Sequence, residues 1–408
     1  MNVAVFIARR LAFNQQPSFS RFIIRLAIVA TVISVAAMLL TLAFTNGFQF
    51  AISQKVFSFW GHIRVQRYQA TKSLIAEDIP ITPNDTVLKV LHANPEITAI
   101  QAYANKTAII KGKEGIDGIM LKGVESTYHF SNLDGFLKQG RWLHFPDSGI
   151  SDEIDLSAYT AKQLKLKVND KALIYFIQPD GSRRVRSMRI AGIFKTGIED
   201  YDKFAIGDLR LIQRLNNWQA DQIGGYEIFV KDYRRTDSVS QALSEALPPT
   251  WNCRTSEEAN QNIFDWLNLQ NTTIAIALII MIVIATLNLV TCLIILVLDR
   301  TRMIGILKAI GSPDASIRQI FLYHGSIITL SGLFFGNLTA LLICGLQQHY
   351  GFISLPEDAY FISKAVVKLE WWHFVLVNAG TFLVCFAVLM IPTVIIRNIQ
   401  PAKAIQFR

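Results

Sequence analysis

Charge is what this 408-residue chain is short of: Asp, Glu, Lys and Arg make up 17% of it, against 51% hydrophobic residues. Soluble domains carry about 25% charged residues, so the composition argues against an ordinary cytosolic enzyme. Cysteine is scarce as well. Of the four, Cys292, Cys344 and Cys385 fall in uncharged stretches and Cys253 stands alone outside them, so no internal disulfide staples that outer region. Catalytic signatures are missing too: there is no G-x-x-x-x-G-K-S/T, no H-E-x-x-H, no G-x-S-x-G and no C-x-x-C. Gly112-Lys113 lacks the upstream glycine of a phosphate loop and runs into Glu114. None of the seven histidines pairs with another at i, i+3 or i, i+4, so no metal ligand set is assigned. No catalytic residue is expected, and any nucleotide chemistry belongs to another chain.

What the sequence does have is long uncharged runs. They span Leu26–Gln54, Trp266–Leu298, Gln319–Pro356 and Trp371–Ile396. A helix of about 20 apolar residues crosses the hydrocarbon, so each run is long enough. Between Lys55 and Asp265 the longest uncharged run is only Ile97–Asn105, and evenly alternating barrel strands are absent there. The expected class is therefore an α-helical membrane protein with four transmembrane helices and a large mixed α+β extracytoplasmic (periplasmic) domain.

The net charge of +9 orients it. Arg9, Arg10, Arg21 and Arg25 precede the first run with no acid among them. Arg300, Arg302, Lys308 and Arg318 face only Asp299 and Asp314 between the second and third runs. Arg397, Lys403 and Arg408 follow the fourth. These segments carry the whole excess, while the region between the first two runs is nearly neutral. The positive-inside rule then puts both termini and the 299–318 loop in the cytoplasm, and the large domain outside. The expected divisions are 1–25 cytoplasmic interfacial helix, 26–48 transmembrane helix 1, 49–265 periplasmic α+β domain (one or two subdomains) and 266–298 stalk and transmembrane helix 2. Then come 299–318 cytoplasmic helix, 319–346 transmembrane helix 3, 347–370 short periplasmic loop, 371–396 transmembrane helix 4 and 397–408 cytoplasmic tail. The first run is longer than a leader's apolar region and shows no A-x-A site, so it reads as a retained span.

Within the outer region, alternation predicts strands over Gly61–Tyr68, Ile97–Ile110, Ile116–Val124, Ala172–Ile177, Val185–Phe194 and Tyr226–Val230. Helices are expected over Pro83–His92 (Thr82 as cap), Ser157–Leu166, Ile206–Leu215 and Asp237–Leu247. Pro179-Asp180-Gly181 reads as a hairpin turn. From Ser256 the pattern runs as one helix into the second span.

The most informative segment is Asp299–Gly311. Met303, Ile306, Leu307 and Ile310 make one apolar stripe flanked by Arg302 and Lys308, Gly311 ends the helix, and Ser312-Pro313-Asp314 opens another. A helix lying on anionic lipid and a helix docking a partner both fit this pattern. Gly332 and Gly336 form a G-x-x-x-G face suited to close helix packing. Asn288, near the middle of the second span, needs an interhelical hydrogen-bond partner. The basic strand Arg183, Arg184, Arg186 and Arg189 fits a solvated face or an acidic or headgroup partner.

The stretch Asn288–Gly311, with its Ile304-Gly-Ile-Leu-Lys-Ala-Ile-Gly311 string, resembles the FtsX/MacB-type permease domain of ABC transporters. Gly61-His62-Ile63, Leu121-Lys122-Gly123-Val124, Leu164–Asp170, Gly192–Asp202 and Pro401-Ala402 extend the likeness over essentially the whole chain, most of all to the lipoprotein-releasing LolC/LolE permease family. Met303 stands where such permeases often carry an acid, Ser157 where a glycine is more usual, and the 178–187 hairpin is short where a carrier-recruiting hook is expected. The resemblance implies a type VII (mechanotransmission) permease subunit of the bacterial inner membrane that extracts lipoproteins from the outer leaflet for a periplasmic carrier. It implies a cytoplasmic ABC ATPase partner holding ATP and Mg, a second permease subunit in a homo- or heterodimer, and no nucleic acid. Arg300, Arg302, Met303, Ile306, Leu307, Lys308 and Ile310 would couple to the ATPase. Val32, Leu39, Leu42, Phe48, Ile276, Ile280 and Ile284 would line the acyl-chain path. Alternatives are a MacB/FtsX-like efflux or cell-wall-regulating permease, and a non-transporting membrane sensor.

Overall fold

The computed structural model describes residues 19–68, 77–178 and 181–393, with backbone alone for a few of them. The interfacial helix expected within 1–25 lies mostly outside the described residues, as do the 397–408 tail and most of the Pro179-Asp180-Gly181 turn. Two compact units divide the chain. One comprises Met1–Phe50, Trp266–Ser354 and Lys364–Arg408; the other comprises Ala51–Asp265 and Leu355–Ser363.

In chain order the helices are α1 (Phe19–Trp60), α2 (Asp85–Ala93), α3 (Ala158–Gln163), α4 (Leu209–Leu215), α5 (Thr236–Ala246), α6 (Ser256–Ala259), α7 (Gln261–Asp299), α8 (Thr301–Ala309), α9 (Asp314–Tyr350), α10 (Glu357–Tyr360) and α11 (Trp371–Thr393). Four of them, α1, α7, α9 and α11, are long and apolar enough to cross a membrane. The first three outrun the expected spans because flanking polar residues tolerate the helix outside an apolar run, and α11 is described to Thr393.

The sheet domain is built on ten strands: β1 (Ile63–Arg67), β2 (Ile97–Lys111), β3 (Ile116–Val124), β4 (Leu137–Gly140), β5 (Glu153–Ser157), β6 (Lys171–Ile177), β7 (Arg183–Phe194), β8 (Phe204–Asp208), β9 (Gly225–Val230) and β10 (Trp251–Thr255). Their order is β10-β1-β9-β2-β3-β8-β5-β7-β4, with β6 pairing β2 and β7. Pairing is antiparallel except β3 with β8 and β5 with β7. The main core gathers Ile63, Ile110, Leu121, Ile174, Ile190 and Ile228 with α2, α4 and α5.

The opposite face of the sheet carries buried charge. Lys122 and Glu227 pair at 2.6 Å with both side chains almost fully enclosed. The Lys122 ammonium lies 4.9 Å from the Phe59 ring centre and 4.8 Å from that of Trp60. Burial pushes the Lys122 ammonium pKa down and the Glu227 carboxyl pKa up.

Three local expectations change. Asn84, not Thr82, caps α2, its side chain accepting from the Thr86 amide at 2.8 Å. The expected Ile206–Leu215 helix splits into β8 and α4, because Asp208 ends the strand and caps the helix by accepting from the Arg210 amide at 2.9 Å. The single helix expected from Ser256 breaks at Asn260, whose side-chain amide donates to the Ser256 carbonyl at 2.7 Å and competes with the helix ladder.

Candidate functional site

The helical unit builds two features from its sequence: a short surface helix after α7, and an apolar helix bundle. The surface helix is α8. Its end is fixed by Gly311 in the left-handed region (φ +92°), where a side chain is strained. The Gly311 amide donates to the Lys308 carbonyl and the Ser312 amide to the Leu307 carbonyl, both at 3.0 Å, which together make a Schellman close. Lys308 then reaches forward to Asp314 at 3.0 Å and is nearly covered. The first turn of α9 is thereby tied to α8. No side chain caps α9; Pro313 occupies the cap position and Asp314 is the first helical residue.

The apolar stripe of α8 does not act as one surface. Ile304 is the anchor: it is fully buried with Leu293, Val297, Ile317 and Phe321, and Met303 and Leu307 pack half-buried against the same cluster. Ile306 and Ile310 point outward, 45% and 76% exposed, and Arg302 is exposed beside them. Met303 and Leu307 therefore hold the helix down rather than forming its free face. Arg300 lies 3.5 Å from its neighbour Asp299, and Lys308 is occupied by Asp314. The free ridge is Arg302, Ile306 and Ile310, three positions at i, i+4 and i+8. Ile304 escaped the sequence reading, although it stands one heptad after the buried Val297.

The bundle sorts the acyl-path candidates. Gly332 and Gly336 allow α9 to touch α1: a Cβ on Gly332 would stand 2.5 Å from Thr31 Cγ2, and one on Gly336 would stand 2.7 Å from Val35 Cβ. Leu39 and Leu42 are consequently buried in a cluster with Val35, Leu333, Ala340 and Val377. They are core, and do not offer an acyl surface. Val32 is half-buried against the same seam, and Phe48 meets Trp266 edge to face at 5.7 Å. Ile276, Ile280 and Ile284 do stand out from α7, each more than half exposed. Leu26, Val29 and Ile33 form a matching exposed stripe on α1, at i, i+3 and i+7.

Polar groups in the bundle also differ from expectation. Asn288 does not gain an interhelical bond; its Nδ2 is buried with no hydrogen-bond partner among the described residues. The reciprocal amide pair instead joins α9 to α11: Asn337 Nδ2 donates to Asn378 Oδ1 at 2.7 Å and Asn378 Nδ2 donates to Asn337 Oδ1 at 3.1 Å. In the sheet domain, Arg184 donates to the Arg214 and Leu215 carbonyls and Arg189 lies 3.2 Å from Glu153, so two of the four basic-strand arginines serve the fold. Among the described residues no group of three or more His, Cys, Asp or Glu gathers as a metal site.

Two family matches cover this architecture. Residues 26–246, more than half of the chain, match the MacB-like periplasmic core domain, and residues 275–401 match the FtsX-like permease C-terminal region. The chain belongs to the MacB/FtsX-type permeases. Relatives of this permease include the lipoprotein-releasing system transmembrane protein LolE of Haemophilus influenzae, 22% identical over 99% of both chains. They also include LolC of Xylella fastidiosa, 24% identical over 98% of this chain and 97% of the relative. Among solved structures, the periplasmic region of MacB from Actinobacillus actinomycetemcomitans aligns with 49% of this chain and 91% of that one, at 13% identity and a TM-score of 0.33. The extracellular domain of the transporter YknZ aligns with 47% of this chain and 99% of that one, also at 13% identity, with a TM-score of 0.32.

Proposed function

We propose that this permease is the membrane subunit of an ABC transporter of the mechanotransmission class, and that it extracts lipoproteins from the outer leaflet of the inner membrane for a periplasmic carrier. The reading is supported above all by relatives named as lipoprotein-releasing permeases that align over nearly the whole chain. In this reading both termini and α8 are cytoplasmic, the sheet domain is periplasmic, and a second permease subunit completes the complex. ATP and Mg are held by a separate cytoplasmic ATPase, and this chain itself catalyses nothing.

The division of labour follows from the residues. The ridge Arg302, Ile306 and Ile310 offers two desolvatable isoleucines and one cation to the ATPase, while Ile304 carries the push into the bundle. The exposed stripes Ile276, Ile280, Ile284 and Leu26, Val29, Ile33 receive acyl chains. At roughly 0.8 kcal/mol per buried CH₂, lifting three acyl chains out of a bilayer costs tens of kcal/mol, so the step needs ATP hydrolysis. The test is reconstitution of the full complex in liposomes holding a triacylated lipoprotein, with a soluble carrier outside. ATP-dependent transfer of lipoprotein to the carrier is expected. Transfer no greater than without ATP overturns the substrate assignment.

A further inference from the structure

The sheet domain holds a cavity of about 400 Å³ that the transport reading does not use. It lies on the sheet face opposite the main core. Register places Thr107 beside Met120 and Ile109 beside Gly118 on that face, and Trp60, Tyr201 and Phe204 wall the other side. The Tyr201 hydroxyl is already spent, donating to Asn260 Oδ1 at 2.8 Å. Lys203 and Asp200 stand together at the rim, 3.7 Å apart.

Arg64 breaks this apolar lining. It is buried, its guanidinium stacks 4.7 Å from the Trp60 ring, and its Nε–H has no hydrogen-bond partner among the described residues. Arg64 stands opposite Glu227 in the β1–β9 register and feels that carboxylate electrostatically, but Glu227 pairs with Lys122 at 2.6 Å. A buried guanidinium Nε–H with no acceptor among the described residues, in a mostly apolar cavity within the usual size of small-molecule sites, fits a ligand with one anionic group and one chain.

We propose that this cavity binds a single-chain anionic amphiphile, its carboxylate or phosphate on Arg64 and its acyl chain against Ile109, Met120, Trp60 and Phe204. The proposal goes beyond lipoprotein release and does not rest on it. The full chain in phosphatidylcholine nanodiscs is treated with three diazirine photoprobes: palmitic acid, a lysophosphatidic acid and palmityl alcohol. Labelled peptides are then mapped by mass spectrometry. Either acid, or both, should label the β2–β3 peptides at least tenfold more than the alcohol, and unlabelled acid should compete. Labelling by palmitate alone assigns a carboxylate, by the lysophospholipid alone a phosphate headgroup; both support the site. Arg64→Gln should abolish the acid preference. Gly118→Phe, placed where an added Cβ meets open space, should block labelling without removing any contact. Equal labelling by the alcohol, or labelling unchanged in the Gly118→Phe protein, overturns the proposal.

Discussion

The two units of this permease solve the same problem, holding helices or strands together, with opposite materials. The sheet domain buries charge and pairs it: Lys122 with Glu227, Lys106 with Glu77, and Glu153 with Arg141 and Arg189. Among the described residues of the helical unit, no Asp, Glu, Lys or Arg is buried; its covered polar residues are Thr, His and Gln. There, glycines and amides replace ion pairs. The contrast follows from the solvent. In water, burial of apolar surface drives association and a few paired charges are tolerated inside. In lipid the surroundings are as apolar as the side chains, so close packing at small residues and interhelical hydrogen bonds must do the joining.

Breaking each device tests the contrast. The largest loss is expected in the sheet domain. Glu227→Ala strands Lys122 without its anion and should lower stability by about 3–5 kcal/mol, read from denaturant unfolding of the full chain. The double variant Lys122→Met with Glu227→Leu should recover most of that loss. If the double falls as far as the single, the pair is not the device described.

In the helical unit, Gly332→Leu forces a side chain into Thr31 and should cost about 1–3 kcal/mol. Gly345→Ala, in open space on the same helix, serves as the neutral control. Comparable thermal-unfolding shifts in the two proteins would contradict the close approach of α9 to α1. Smaller still, Asn337→Leu removes the donor to Asn378 Oδ1, while Asn378 Nδ2 keeps the Phe374 carbonyl at 2.7 Å, and should cost about 1 kcal/mol, with Asn378→Leu adding little on top. Additive losses would break the reciprocal pair.

The smallest effect near neutral pH belongs to His62, which stacks on Phe57 and whose Nδ1 accepts from the Val230 amide at 3.3 Å. Burial depresses its pKa to about 4, against about 6.5 in the unfolded chain. The folded state therefore favours the neutral ring, and its stabilisation is full above about pH 6.5 and lost as pH falls through about 4. Thermal stability should decline over that window and decline less in His62→Asn, which keeps an acceptor near the Nδ1 position. An identical pH slope in the variant would remove His62 from the account.

How much of this was legible beforehand depends on the signal each element leaves. Four spanning helices were plain because nothing charged interrupts their runs. Strands that alternate, such as β6 and β7, were plain for the same reason of period. β5 was hidden, since all five of its residues are buried and two of them are acids, Glu153 and Asp155, whose partners come from elsewhere in the chain. β8 was read as helix because its end is set by Asp208, a cap whose role appears only once Ser151 and Arg210 are seen bonded to it. The α8 stripe shows the limit most clearly. Periodicity found its residues but not which half faces the protein, because Met303 and Leu307 differ from Ile306 and Ile310 only in what lies against them. Asn288 and Asn337 make the same point inside the bundle: the sequence singles out Asn288 as needing a partner, yet the interhelical pair belongs to Asn337.

That two-sided α8 is also where the functional account is most exposed to test. The decisive measurement is quantitative co-purification of the partner ATPase with the tagged full-length permease and with the Ile306→Asp, Ile310→Asp double variant, which changes only exposed positions. The permease should be recovered folded in normal yield while ATPase recovery falls at least tenfold. Undiminished ATPase recovery on the double variant would contradict docking on this ridge.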